Sequence, residues 1–466
     1  MNSYDVSIIG AGISGLVCGC YLAKAGVKTI IVEQNAMPGG YCVSFKRKDF
    51  NFDACAHSLG GLRNGGPLKK IFDELNLHQR IQIHKYEPTD VVISPEHKIQ
   101  FCCDLGNTIK SFKENFPKEG RKIEKFFYDI NELKHTSFSL LRNRTFDDFL
   151  NLYFKDEKLK SILSLPILGN ASLSALRISA FTAVALYKEF ILDGGYYPKN
   201  GMQEFPNLLM NKFKEFGGEV ILKERIDGII IKNNCVDGIK THNGLLIRSK
   251  YVVSNIDARQ TFLRLIGKDK IDKILLNYLE NFEPSLSIFI LYLGTDGKIK
   301  DVLPGTNTWY LSDFDVNEMY KDAKEKTVDA AKWFMVRLSP DAKSMMMLVT
   351  SSYGNDGYWN LNRKKTEDVF IKKIEKIIPG LSDHIILKSS ATPKTLNNWT
   401  SNYRGAAYGW AGIPSQFAIP GFSQSTSIKD LYLTGHWTTL VQGVPGVAYL
   451  GRDTAKIIIN KRKKRE

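Results

Sequence analysis

No stretch of this chain reaches the ~18 consecutive apolar residues that a membrane-spanning helix requires. One long uncharged run, Ser161 to Leu176, is interrupted by Pro166, Gly169 and Asn170. It reads as a buried or interfacial segment. Cysteine is also scarce, with seven residues at 18, 20, 42, 55, 102, 103 and 235. An odd number without framework spacing excludes a disulfide scaffold and predicts a reduced, cytoplasmic chain. The same cysteines lack the paired spacing of a zinc site, so no metal is expected. Met1 runs almost at once into an apolar strand, and no signal peptide is expected. There is no internal repeat and no nucleic-acid recognition module.

Negative charge is in short supply. Lys and Arg number 64 against 49 Asp and Glu, a formal net charge of +15. Such an excess favours anionic partners: nucleic acid, anionic lipid or a phosphorylated ligand. The lysines are dispersed, so nucleic acid is not expected, and solvated lysine-rich faces are the plainer reading. The stretch 108–160 interleaves lysines with Phe and Leu, and Lys461 to Arg465 form a basic tail. Both are candidates for peripheral contact with an anionic membrane. With 466 residues, 43% hydrophobic and 37 glycines, the chain has material for several α/β segments with tight turns.

Residues 4–34 read as strand, glycine turn, helix and strand. Val6, Ile8 and Ile9 form the first strand and Thr29 to Glu33 the second, short apolar runs suited to a parallel sheet covered on both faces. Leu16, Val17, Cys20 and Ala23 have helical spacing between them, and Gly26 closes the helix. The turn is Gly10-Ala11-Gly12-Ile13-Ser14-Gly15. Gly10 permits the tight turn, Gly12 lets the backbone approach a pyrophosphate, and Gly15 lets the helix pack on the strand. The helix N-terminus offers unpaired N–H groups and partial positive charge to the anion. Glu33 ends the second strand, where a carboxylate accepts ribose hydroxyls and repels a 2′-phosphate. These residues predict a Rossmann-type dinucleotide site.

Further along, Val43–Lys46 and Phe50–Asp53 read as a hairpin. Strand-like pieces near 81–85, 90–94 and 98–104 interrupt a mostly helical region from 66 to 197. A helix near 202–217 precedes strands at Glu219 to Leu222, Gly228 to Ile231, Leu245 to Arg248 and Tyr251 to Ser254. Asn233-Asn234 and Asp237-Gly238 read as turns between them. A second strand-rich block covers 284–352, with helices near 318–325 and 364–377. The strand Leu431 to Gly435 then leads to a helix from about Gly446 to Asn460.

Several segments carry a family resemblance. Met37-Pro38-Gly39-Gly40-Tyr41 resembles the second glycine signature of FAD-dependent enzymes of the amine oxidase and phytoene desaturase superfamily. Phe52-Asp53-Ala54-Cys55-Ala56-His57 resembles the F-D-x-G-x-H element of retinol saturase and carotenoid isomerase relatives, with Cys55 replacing a Gly. Gly194 to Met202, Val252-Val253-Ser254-Asn255-Ile256-Asp257, Arg404 to Trp410, and Leu431 to Trp437 with Gly443-Val444-Pro445-Gly446-Val447 resemble later motifs, in family order.

The resemblance implies an α/β Rossmann-type FAD-binding domain with an inserted mixed-sheet and helical substrate domain. It implies FAD-binding parts at 1–80, 201–260 and 416–466, a helical substrate segment at 81–200, and a substrate-binding sheet and helices at 261–415. It places FAD against Gly10, Gly12, Ile13, Ser14, Gly15, Glu33, Gln34, Gly39, Gly40, Tyr41, Ile226, Gly435, Gly443, Val444 and Gly446. It further implies hydride transfer at flavin N5 that desaturates, saturates or isomerises carbon–carbon bonds of an apolar polyene or isoprenoid-like substrate.

His57 and His436 are the histidines inside flavin-proximal motifs, and each is a candidate proton-transfer or orienting group. The bland alternative for both is a hydrogen-bonded pocket wall. Tyr41, Tyr408 and Trp410 are candidates for the same wall, although aromatics serve equally as core. Cys42 has no partner before Cys55, which excludes a redox-active dithiol. Two other readings share the fold: a flavin amine or amino-acid oxidase, which would hold its substrate with polar groups, and a prenyl-binding GDP-dissociation-inhibitor-like protein without catalysis. Intact glycines at both ends of the flavin site argue against the latter. No second G-x-G-x-x-G marks an NAD(P) site, which leaves oxygen, a quinone or a bound partner as electron acceptor.

Overall fold

A computed structural model describes residues 3–133, 139–299, 303, 306–325, 327–355, 357–417, 423–438 and 442–465. Two sheets of seven strands organise them. The first has the order Ile226–Lys232, Cys235–Thr241, Leu246–Ser254, Ser3–Ile9, Thr29–Val32, Glu219–Ile221. Leu431–Leu433 pairs with the far half of Leu246–Ser254. The four strands around Ser3–Ile9 run parallel, and the edge ribbon is antiparallel.

Successive residues of a strand face opposite ways, and the first strand divides its residues accordingly. Val6 and Ile8 pack with the helices Ile13–Lys24, Glu204–Glu215 and Gly443–Lys463, while Ile9 packs in the cluster of Phe262, Leu265 and Leu279 on the other face. The sheet is thus covered on both sides, and its strand ends open into a cleft.

The second sheet has the order Ile385–Ala391, Ser287–Thr295, Ser344–Ser351, Trp333–Leu338, Asn307–Leu311, Asp90–Ile93, Lys98–Phe101. The strand-like pieces near 90–94 and 98–104 are strands, Asp90–Ile93 and Lys98–Phe101, and they complete a sheet whose other members come from 287–391. Short strands without flanking alternation reveal their partners only in three dimensions.

Other differences have local causes. Leu245 to Arg248 and Tyr251 to Ser254 belong to one strand, because Ser249 continues the ladder opposite Tyr4. Asp237-Gly238 is not a turn; it lies within Cys235–Thr241 at a register shift of the ribbon. Gly238 has φ of +134°, and an added Cβ would stand 3.0 Å from Arg248 Cα. A bulge with close backbone approach uses glycine for the same reasons a turn does. The closing helix starts at Gly443, three residues before Gly446. Pro445 fits its first turn, where no backbone N–H needs an intrahelical acceptor.

The lysine-rich stretch folds as amphipathic helices. Leu105–Asn115 and Gly120–Glu132 bury Phe112, Ile123, Phe126, Phe127 and Ile130. The basic tail is the end of the closing helix rather than a free cationic strand. Lys461 and Arg465 pair with Asp430, and Arg462 pairs with Asp5. Ser161 to Ala171 lies in the helix Glu157–Ala171, buried throughout and with Pro166 inside it.

The opening helix Ile13–Lys24 and the closing helix touch at Gly451, where an added Cβ would run into the Ser14 backbone. Gly451→Ala is expected to force the two helices apart at a cost of about 1–3 kcal/mol, read as a lowered thermal midpoint. Gly228→Ala, whose methyl meets nothing nearer than 3.7 Å, is the control expected to leave the midpoint almost unmoved.

Candidate functional site

The cleft at the strand ends holds ≈ 1600 Å³ of non-atom space, its open mouth included. Its floor is the glycine turn. Gly10 has φ of +94° and donates its N–H to Val32 O at 2.8 Å. Gly12 begins the opening helix in an extended conformation, with no side chain capping the free N–H groups and no acid in the first turn. Gly39 donates to Ala11 O at 2.8 Å, and an added Cβ on Gly40 would lie 3.5 Å from Gly12 Cα. The two glycine segments therefore lie against each other along the cleft.

The second helix N-terminus faces the same space. The closing helix starts after Gln442 without a side-chain cap or an acid in its first turn, and Gly443, Val444 and Val447 line the cleft. Gly446 and Gly15 do not line it. An added Cβ on Gly15 would strike Gly10 O and lie 2.8 Å from Asn255 Nδ2, so Gly15 serves packing beneath the turn.

Charged side chains gather at one end, formed by Glu33, Glu224, Arg225 and Arg264 with Gln34, Ile226 and Gln260. Glu33 Oε2 accepts Ala11 N–H at 2.7 Å and Oε1 accepts Asn35 N–H at 2.9 Å. Burial pushes its carboxyl above the usual range, and these N–H groups pull it back. Each oxygen keeps a lone pair for a ribose hydroxyl. Gln34 is held by Trp399 O at 3.2 Å. Gln260 Oε1 is buried with no hydrogen-bond partner among the described residues. An orphaned acceptor of this kind calls for a donor on a ligand.

The other end is apolar and aromatic. Tyr41, Cys55, Leu186, Phe190 and Tyr408 line it with His57, Asn170, Asn402 and His436. No described lining residue at this end carries a charge. His57 is buried, with Nδ1 3.1 Å from Asn307 Oδ1. Burial and the Arg337 charge lower its pKa to about 3. Burial lowers the His436 pKa to about 4. Both imidazoles are therefore neutral around neutral pH.

Trp410 is core rather than wall. It lies under Arg259 at 4.6 Å and edge-on to Trp437 at 4.9 Å. Arg177 pairs with Glu283 at 2.6 Å, and Arg404 lies over Tyr403; neither lines the cleft. Cys42 is buried and its thiol is free.

Two residues without an assigned role in the sequence organise the site. Asn255 Nδ2 donates to Gly10 O at 3.2 Å, and its Oδ1 would stand 2.7 Å from a Cβ on Gly435. Asn402 accepts from Trp437 Nε1 at 2.8 Å and donates to Tyr41 Oη at 3.1 Å. Asn255 belongs to the motif Val252 to Asp257, whereas Asn402 carries no local signal, since its partners Tyr41 and Trp437 are distant in sequence.

Residues 13–459 match the family model described as flavin containing amine oxidoreductase. The all-trans-retinol 13,14-reductase of Danio rerio is 24% identical over 98% of this chain and 86% of its own length. A chloroplastic prolycopene isomerase of Daucus carota is 24% identical over 97% of this chain and 79% of its own. An oxidoreductase from Methanosarcina mazei superposes with a TM-score of 0.69 at 18% identity, covering 97% of this chain and 100% of that one. Putrescine oxidase bound to putrescine gives 0.70 at 14%, covering 98% and 99%. At such identities the structures establish the fold alone.

FAD fits these residues: Glu33 and Gln260 would meet the ribose and adenine end, the glycine segments and the opening helix would meet the pyrophosphate, and the second uncapped helix would face the far end. Glu33→Gln places an NH₂ where one of the two backbone N–H groups now finds an acceptor. It is expected to weaken FAD binding by about 10-fold or more, measured by titrating deflavinated protein with FAD and following flavin fluorescence.

Proposed function

The chain belongs to the flavin containing amine oxidoreductase family and is an FAD-dependent enzyme; we propose that it desaturates, saturates or isomerises carbon–carbon bonds of an apolar polyene or isoprenoid-like substrate. A bound flavin supplies two-electron hydride chemistry at N5. The protein orients the substrate and excludes water around that chemistry.

The observation that carries this reading is the division of charge along the cleft. Every charged lining residue described lies at the nucleotide end, while Phe190, Leu186, Tyr408, Cys55 and two neutral histidines form the other. A hydrocarbon gains by entering such walls, at roughly 25 cal/mol for each Å² buried. An ammonium or carboxylate would lose its hydration without a counter-charge. The retinol reductase and prolycopene isomerase relatives support the same substrate class. His57 is the proton-handling residue in this reading: it is neutral, buried and part of the substrate-end wall.

An apolar substrate is collected from a lipid phase. Among the described residues no helix is long and apolar enough to cross a membrane. We therefore propose peripheral contact through the exposed Leu140 and Leu152 with nearby Arg142 and Arg144. Ser179 Oγ donates to Arg142 O at 3.0 Å, and the helix Ala180–Leu186 runs from there to Leu186 in the cleft wall.

The substrate reading is tested by mixing the flavin-loaded protein anaerobically with polyenes and amines and following the flavin absorbance. Bleaching by a polyene with formation of a desaturated product is expected; bleaching by amines alone would overturn the assignment. Flotation with anionic vesicles at low salt is expected to carry the protein upward, and Leu140→Glu with Leu152→Glu to weaken it several-fold. Equal flotation of the double variant would remove the proposed contact.

A further inference from the structure

A chain of buried polar side chains runs from the substrate end of the cleft into the second sheet. Asn307 and Asp90 are direct neighbours on parallel strands, paired in register. Trp309, two residues beyond Asn307, faces the same way. His57, Asn307, Asp90 and Trp309 are each at most 5% exposed. Their contacts are His57 Nδ1 to Asn307 Oδ1 at 3.1 Å, Asn307 Nδ2 to Asp90 Oδ1 at 3.1 Å, and Trp309 Nε1 to Asp90 Oδ1 at 2.6 Å.

Donor counting gives this chain a direction. An indole N–H only donates, and an ionised carboxylate only accepts. Asn307 therefore spends its NH₂ on Asp90 and presents its oxygen to His57. That oxygen only accepts, so the imidazole proton belongs on Nδ1 and the lone pair on Nε2.

Resting on the reading of His57 as the proton-handling residue, we propose that Asn307 and Asp90 are positioning residues which fix the Nδ1–H tautomer of His57 and keep Nε2 as a proton acceptor. When a C–H bond next to the hydride-donating carbon breaks, its electron pair enters the new C=C bond and the proton passes to Nε2. Asn307 Oδ1 already holds the other N–H of the imidazolium that results, and the Asn170 amide also favours a protonated ring. A donor–acceptor pair preset for the charged form needs little reorganisation when charge develops.

Asp90 supplies the bias. Its surroundings are Asn307, Trp309, Thr89, the Arg337 cation and the Tyr187 phenol. Burial raises its pKa to about 7, against the hydrogen bonds and Arg337. Above that range the carboxylate holds the Asn307 amide in the orientation described. Below it, a protonated Asp90 donates a hydrogen bond to the amide oxygen, the amide turns, and the imidazole proton moves to Nε2.

The test is ¹⁵N–¹H spectroscopy of the full chain with ring-labelled histidine, assigning His57 by its loss in His57→Gln. Above neutrality the wild type is expected to show the Nδ1–H tautomer, and acidification through neutrality to shift it towards Nε2–H. Asn307→Leu is expected to release the tautomer, and Asn307→Asp, which keeps an acceptor on Nδ1, to retain it. Should Asn307→Leu fail to fold, Asp90→Asn of equal size is expected to populate both tautomers. An Nε2–H tautomer in the wild type above neutrality overturns the proposal, as does an unchanged His57 in either releasing variant. The spectra need no substrate, so they decide the tautomer whether or not polyenes reduce the flavin. With a substrate in hand, Asn307→Leu is expected to slow flavin reduction by about 10-fold or more without a matching rise in KM.

Discussion

Asn255 sits where three distant parts of the chain meet. Its amide holds the carbonyl of Gly10 and lies against Gly12, Gly15 and Gly435. A larger residue at any of these glycines would meet that amide or, at Gly10, the neighbouring Ile256 side chain. The first glycine turn, the end of strand Leu246–Ser254 and the last strand end are therefore mutually constrained. Ser14 adds a second tie, with Oγ 2.6 Å from Thr434 Oγ1. The position of both cleft-facing helices follows from this junction, because one starts just after Gly12 and the other packs on Ser14 through Gly451.

The electrostatics of the cleft follow from that geometry. Two helix N-termini without side-chain caps leave N–H groups directed at the ligand, favouring its negative charge. Formal charges stay at the nucleotide end, where they would meet the ribose and base of FAD. The reacting end has neither a fixed charge nor a protonated histidine, so hydrogen bonds provide its order. Asn402 ties Tyr41 to Trp437, and Asn307 ties His57 to Asp90. At His57 the Asn307 amide stands between the wall and the buried Asp90 carboxylate, which does not itself line the cleft.

Much of the nucleotide end was legible because it is local. Gly10, Gly12, Glu33 and the helix between them lie within one βαβ unit, and their spacing alone specifies the turn. Local signals failed where two structures share one composition. Asp237-Gly238 suits a turn and a bulge equally, and Pro445 marks a helix boundary on either side. The five-residue strand Asn307–Leu311 and the four-residue strand Asp90–Ile93 carry too little pattern to announce each other.

The amino-acid order by itself determined the dinucleotide turn, the acid at the second strand end and the family motifs, because each depends on neighbours a few residues apart. Only the tertiary structure decided what faces the reaction end. His57, Asn307 and Asp90 are separated by up to 250 residues, and their contact comes from strand register in a sheet assembled from two parts of the chain. The same holds for the neutrality of His57, since a histidine loses its charge through burial, and burial is a property of the packed molecule.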